Sequence, residues 1–99
     1  MVQSSYIHTK YRESAKRYLL SLPSFMKEAS SFGDLDHVYF LTSSVLLARD
    51  RIVPESSGGG FVQAVIKNDL RGAFHKADED ARKALRFIIL AFDNCSVNY

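Results

Sequence analysis

The chain has one cysteine, two prolines, no tryptophan and no long apolar run. Because Cys95 is alone, an internal disulfide framework is excluded, and its place at the end of an apolar row favours a small buried hydrophobe. No apolar run approaches the ~18 residues that a membrane span needs. The first residues also lack the apolar segment of a signal peptide. We therefore expect a cytoplasmic protein that does not associate with a membrane.

Net charge is also small, because 13 Lys and Arg residues oppose 11 Asp and Glu residues for a total of +2. A surplus of this size does not by itself imply a polyanionic partner. Apolar residues make up 46% of the chain, which argues against disorder. The 99 residues are enough for one modest core, so we predict a single domain over residues 1–99.

Helical periodicity dominates the pattern of apolar residues. We predict an all-α protein, a small antiparallel bundle of three to four helices with a long C-terminal amphipathic helix. Pro23 ends the first helix and opens the second, Gly33 closes the second, and Asp34 is placed to cap the third. The predicted helices cover about residues 5–21, 24–32, 34–51 and 61–94, with a flexible loop at 54–60.

The last predicted helix is the longest element. Its apolar positions recur at steps of three and four, and also every eleven residues: Val62, Ile66, Leu70, Ala73, Ala77, Ala81, Ala84, Ile88 and Phe92. An eleven-residue repeat corresponds to ~3.67 residues per turn, close to a straight helix. Such a rod would span ~50 Å, whereas a domain of this size is about 35 Å across. We therefore expect it either to bend, most readily at Gly72, or to project and be covered by another chain.

Two segments, residues 38–47 and 87–92, are apolar around the whole helix. A helix of that kind must be buried on every side, which a small bundle has difficulty achieving alone. This surplus predicts a homodimer, and hence a non-enzymatic protein–protein interaction module with an accessory or regulatory role. The residues predicted to mediate self-association are Phe40, Leu47, Phe61, Phe87 and Leu90.

An alternative hypothesis, nucleic-acid binding, comes from the basic side of the first helix. Basic residues there recur one turn apart and have tyrosines between them, a pattern that suits phosphate pairing and base stacking. However, Tyr11 and Tyr18 fall on the apolar stripe, and an ordinary solvated helix face also carries such charges. The residues concerned are His8, Lys10, Arg12, Lys16 and Arg17.

The serine- and glycine-rich turn before the last helix could bind an anion, because free backbone N–H groups and the helix dipole meet there. It lacks the GxxxxGK[ST] order of a phosphate-binding loop, and a hinge between antiparallel helices is the simpler interpretation. The residues of this candidate site are Arg51, Ser57, Gly58, Gly59 and Gly60.

No catalytic, metal or cofactor site is predicted. His75 and Glu79 are spaced to place two ligands on one helix face, but no further ligands are evident. No motif connects Cys95 to the histidines as a nucleophile and its base. Spacings of four instead predict ion pairs of Asp78 with Arg82 and of Glu79 with Lys83. The hydroxyls of residues 42–44 are expected to bond to carbonyls one turn earlier.

Overall fold

The computed structural model describes residues 2–54 and 59–97, with side chains from Tyr6 onward in the first helix. All regular secondary structure in these residues is helical, which confirms the all-α prediction. The predicted number of helices is too low, because the last predicted helix is divided into four. The helices are α1 (Val2–Ser21), α2 (Pro23–Glu28), α3 (Leu35–Arg49), α4 (Gly60–Ile66), α5 (Leu70–Lys76), α6 (Glu79–Lys83) and α7 (Leu85–Asn94), with a 3-10 turn at Ala29–Ser31 after α2.

Local chemistry sets the ends of the first three helices. Pro23 opens α2 directly after α1 has ended at Ser21, as predicted. Gly33 has a φ of +83°, the left-handed conformation that glycine adopts without a steric penalty. The Asp34 carboxylate then accepts hydrogen bonds from the N–H groups of Asp36 at 3.1 Å and of His37 at 3.4 Å. These features depend on neighbouring residues alone, so the sequence predicts them well.

The single helix predicted over residues 61–94 is wrong, and the first interruption follows α4. Asn68 has a φ of +60°, its N–H donates to the Val65 carbonyl at 3.1 Å, and the next N–H donates to the Ala64 carbonyl at 2.8 Å. This pair of bonds is the Schellman motif, which ends helices. The carboxylate of Asp69 then caps α5 by accepting from the Gly72 N–H at 2.9 Å. The break thus lies four residues before the expected position, which is in the first turn of α5.

Two further interruptions divide the rest of the chain. Ala77 is extended, and the Asp78 carboxylate accepts from the Ala81 N–H at 2.8 Å to start α6. Basic side chains end α5 and acidic ones begin α6, the arrangement that suits the helix dipoles. Ala84, with φ −101° and ψ 12°, separates α6 from α7.

Because the chain turns at these breaks, its last third folds around α3 instead of projecting. The greatest dimension of the molecule is 35 Å, well short of the ~50 Å of a straight rod. Helix α3 is contacted by α1, α4, α6 and α7, and Val38, Val45 and Leu46 on it are completely buried. The accessible surface is 6004 Å², close to the roughly 5,700 Å² expected of a folded monomer of this mass. The chain therefore covers its own apolar helix, contrary to the expectation of an uncovered surplus.

The eleven-residue repeat predicts burial better than it predicts helix continuity. Most of its positions are buried, including the small residues Ala73, Ala77, Ala81 and Ala84. Leu70 is the exception, since 52% of its surface is exposed where a core position was predicted. The left-handed residue two positions earlier changes the direction of the helix and turns this side chain outward.

Aromatic rings join three helices at one end of the core. The fully buried Phe87 of α7 lies 5.2 Å from the ring centre of Phe25, 6.0 Å from that of Tyr18 and 6.2 Å from that of Phe32. These spacings suit the edge-to-face and tilted contacts that aromatic pairs favour. Cys95 is buried beside α1, as predicted. No helix in the described ranges combines the length and the apolar character needed to cross a bilayer.

Candidate interaction surface

Most residues predicted to mediate self-association lie inside the core. Leu47, Phe61 and Phe87 are 1%, 7% and 0% exposed, and Leu90 is half-buried. Their apolar neighbours come from the same chain, so in this fold the first three cannot contact a second one. Phe40 alone of the five is open to solvent, with 49% of its surface exposed.

Phe40 belongs to an exposed group that we call the aromatic surface: His37, Phe40, Leu70, Phe74, Asp78 and Arg82. The Phe40 ring lies nearly parallel to the imidazole of His37, with ring centres 6.5 Å apart. The Nε2 atom of that histidine is 2.6 Å from the Oδ2 atom of Asp78. One end of the surface therefore connects α3 to the start of α6.

The other end of the aromatic surface is built on α5. Phe74 is 48% exposed, and the guanidinium of Arg82 lies 5.2 Å from its ring centre, within the range of a cation–π contact. The same guanidinium donates to the carbonyl of Ala77 at 3.2 Å. Leu70, one turn before Phe74, adds a second exposed apolar side chain on this side of α5. The two ends meet at the break between α5 and α6.

Charges of both signs surround the exposed rings. The hydrogen bond from the Ala81 N–H, followed by the one to His37, lowers the pKa of Asp78, so its carboxylate is charged at neutral pH. Glu79 lies 3.7 Å from Arg82 and 3.9 Å from Lys83. The predicted pair of Glu79 with Lys83 is confirmed, whereas Asp78 pairs with a histidine on another helix.

The break between α5 and α6 also separates His75 from Glu79. These residues were considered as two ligands on one helix face, but they lie on different helices. In the part of the chain that the structure describes, no three His, Cys, Asp or Glu residues are grouped so that they could hold a metal ion.

Sequence reasoning missed Phe74 and His37 as members of a common surface. Phe74 had one usable signal, since it is a large aromatic residue on the polar side of the predicted helix, four residues after a leucine. No comparable signal exists for His37, because its partner Asp78 is 41 residues away in sequence.

The basic residues of α1 divide into two groups. At about 100° per residue, His8, Arg12 and Lys16 project from one flank, whereas Lys10 and Arg17 project from the other. His8 and Lys10 are half-buried and the other three are exposed. None of the four lysines and arginines joins an ion pair within the described residues.

Tyrosines accompany both flanks of α1 in different ways. The ammonium of Lys10 lies 5.4 Å from the ring centre of Tyr6, which is 54% exposed. The ammonium of Lys16 lies 5.8 Å from the ring of the buried Tyr39. Tyr11 is buried, as the apolar stripe predicts. Only Tyr6 therefore offers a ring face near these cations.

The candidate anion site is only partly within the described residues. Ser57 and Gly58 lie outside them, and Gly59 and Gly60 are exposed at the start of α4. Arg51 is exposed with a φ of +62°, and its N–H donates to a carbonyl of the last turn of α3. The observed role of this arginine is thus to end α3, and anion binding at the turn stays a prediction.

One buried network has a structural role that sequence reasoning did not identify. The Tyr11 hydroxyl donates to the Oδ2 atom of Asp50 at 2.8 Å, and the Nε atom of Arg49 donates to its Oδ1 atom at 2.7 Å. The same guanidinium donates to the Phe92 carbonyl at 2.8 Å, in the last turn of α7. These bonds hold the ends of α3 and α7 against α1, and they satisfy carbonyls that a helix end leaves without partners.

Comparison of the chain with protein-family models, with curated proteins and with solved structures finds no match. A function for the chain is therefore argued from its own residues. The aromatic surface and the basic side of α1 are the two exposed features that bear on the hypotheses drawn from the sequence.

Proposed function

We propose that the protein is a non-enzymatic interaction module that pairs with a second copy of itself through the aromatic surface, in an accessory or regulatory role. The observation that carries this proposal is the pair of half-exposed rings, Phe40 and Phe74, on either side of one helix break. Each ring already rests against an ionisable side chain of the same molecule.

The composition of this surface suits binding energetics. Aromatic residues and arginine are enriched at interfaces, and a few such side chains supply most of the binding energy. Contacts with His37 and Arg82 restrict the two rings before any partner arrives. Less rotamer entropy is then lost on association, which favours tighter binding.

A second copy is the partner that this surface fits by charge. A two-fold interface brings the same patch of each molecule together, so the patch must complement itself. The aromatic surface and its rim carry both a cation, Arg82, and two carboxylates, those of Asp78 and Glu79. Rotation about a two-fold axis can therefore place opposite charges face to face around the apolar rings.

Sedimentation equilibrium across a range of protein concentrations tests the proposal. We expect the mass to rise from one chain to two, and the double variant Phe40→Ser, Phe74→Ser to stay at one chain. Leu20→Ser is the matched control, because this leucine is equally exposed on α1, outside the aromatic surface. A wild-type mass of one chain at every concentration, or a double variant that dimerises like the control, would overturn the proposal.

Nucleic-acid binding through α1 is a second candidate. The observation that favours it is the set of unpaired cations on one helix in the described part of the chain, with Tyr6 exposed beside Lys10. Because the cations occupy two flanks, they would follow a strand that crosses the helix. Counterion release would then make the affinity depend steeply on salt.

A salt titration of single-stranded RNA binding separates this candidate from the first. Replacing Arg12 and Lys16 with glutamine should reduce the slope of log K against log salt by about 2. Lys83→Gln serves as the control, since that cation lies near Glu79 on α6. Equal slopes for the two variants would exclude α1 as the binding element.

A further inference from the structure

A polar cleft lies between α1 and the residues that follow α7, away from the aromatic surface. Its volume is about 330 Å³, which is within the size range of small-molecule sites. It is lined by Ser14, Arg17, Ser21, Asn94, Cys95 and Ser96, with the edge of Tyr18. No carboxylate side chain is among these residues.

Ser14 is the unusual member of the lining. It is only 6% exposed, and among the described residues its hydroxyl has no hydrogen-bond partner. Serines within helices normally bond to a carbonyl one turn earlier, as Ser43 and Ser44 do in this molecule. Buried hydroxyls without partners are rare. The Ser14 hydroxyl therefore remains available to a molecule in the cleft.

Arg17 supplies positive charge to the same cleft. Its guanidinium forms no ion pair or hydrogen bond with the described residues, so all of its donors remain available. A guanidinium presents a planar fork that matches the two oxygens of a carboxylate or phosphate group.

The remaining side chains fix the walls of the cleft. Ser21 Oγ donates to the Tyr18 carbonyl at 2.7 Å, and the Tyr18 hydroxyl donates to the Leu90 carbonyl at 3.3 Å. Asn94 Nδ2 donates to that same carbonyl at 3.1 Å and has a second hydrogen to offer. The cleft is therefore held by bonds between α1 and α7.

Cys95 contributes a neutral group to the cleft. Its Sγ atom lies 3.8 Å from the Ser14 carbonyl, and burial raises the pKa of the thiol. The thiol is thus uncharged at neutral pH and does not repel a negative ligand.

We infer that this cleft binds a small oxyanion, a phosphate or carboxylate group, through the guanidinium of Arg17 and the hydroxyl of Ser14. The inference is independent of the proposed self-association, since it uses a different face of the molecule. It also assigns Arg17 a role separate from that of Arg12 and Lys16, which project from the other flank of α1.

The test uses inorganic phosphate and, in a second arm, acetate, each titrated at constant ionic strength against chloride. Amide chemical shifts of α1 and the thermal unfolding midpoint are followed together. We expect saturable shifts around Ser14 and Arg17, and a rise in the midpoint as the folded state is bound. Saturation with either anion supports the inference, and the arm that saturates identifies the group.

Three variants locate the site. Arg17→Gln should weaken binding about tenfold or more, and Ser14→Ala about threefold to tenfold, because each removes one donor to a charged ligand. Arg12→Gln is the matched control and should bind like the wild type. If neither anion saturates, or if Arg17→Gln binds as the control does, the cleft is not an oxyanion site. Equal weakening by Arg12→Gln and Arg17→Gln would indicate diffuse attraction to α1 and would also overturn the inference.

Discussion

Asp50 makes the most connected set of polar contacts at the scale of single residues. Its carboxylate accepts from Arg49 and from the Tyr11 hydroxyl. The hydrogen bond from Arg49 is the main cause that lowers the pKa of Asp50, and the bond from Tyr11 acts in the same direction. Because the charged form has these donors only in the folded state, its ionisation is linked to folding.

We predict that this linkage is visible in acid. The pKa of Asp50 is lower in the folded than in the unfolded chain, so its contribution is complete above the unfolded value of about 3.9 and is lost as the pH falls through the folded value. Tyr11→Phe should cost about 1 kcal/mol at neutral pH and less in strong acid. Urea unfolding at several pH values measures both, and a cost that does not change with pH would contradict the assignment.

Residue-scale features were predictable when both partners are close in sequence. The cap at Asp34 and the bonds of Thr42 and Ser44 to carbonyls one turn earlier are found as expected. The contact of Tyr11 with Asp50 crosses 39 residues. Periodicity assigns that tyrosine to the core, but it contains no information about which acceptor will meet the hydroxyl.

At the scale of elements, the division of the last third of the chain is the main difference from expectation. Two of its breaks have local signals in the sequence. Asn68 is a residue type that tolerates the left-handed conformation, and it is followed by the cap Asp69. Asp78 with the acidic residues after it has the composition of a helix start. The regular apolar spacing across both breaks concealed these signals.

We predict that residue 68 controls the break after α4. Asn68→Val should destabilise the fold by about 1–2 kcal/mol, because a β-branched residue is strained in the left-handed conformation. Asn68→Gly removes that strain and should be neutral or slightly stabilising. Thermal and urea unfolding of the two variants tests this expectation. A valine variant as stable as the glycine variant would show that the chain can continue as a helix there.

At the scale of the whole molecule, α3 is the centre of the fold and the other helices are arranged around it. The C-terminal third, which the sequence favours as the organising element, is instead part of the covering layer. This arrangement explains why Phe87 is buried whereas Phe40, on the central helix itself, is half-exposed. A gap between the covering helices leaves the latter ring in contact with solvent.

These two phenylalanines should respond very differently to truncation. Phe87→Ala removes the centre of the aromatic core and should cost about 3–5 kcal/mol, whereas Phe40→Ala should stay within about 0.5 kcal/mol. Urea unfolding measures both, with Phe87→Leu as a milder variant if the alanine does not fold. Comparable losses for Phe40→Ala and Phe87→Ala would mean that the core has been assigned to the wrong face.

The candidate surface was predictable in one residue only. Phe40 was among the residues proposed for self-association, but the reasoning relied on an apolar excess that the fold itself covers. Phe74 and His37 join Phe40 because the chain turns between α5 and α6. A turn of this kind brings together residues that have no relation in sequence.

The sequence by itself determined the helical class, the caps at Asp34 and Gly33, and which small residues of the last third are buried. Each of these follows from interactions within about one turn of helix or from apolar periodicity. Only the tertiary structure decided where the last third divides at Ala84, since alanine favours helix and the flanking residues contain no stop signal. There the gain from packing α7 against α3 outweighs the local preference of the backbone.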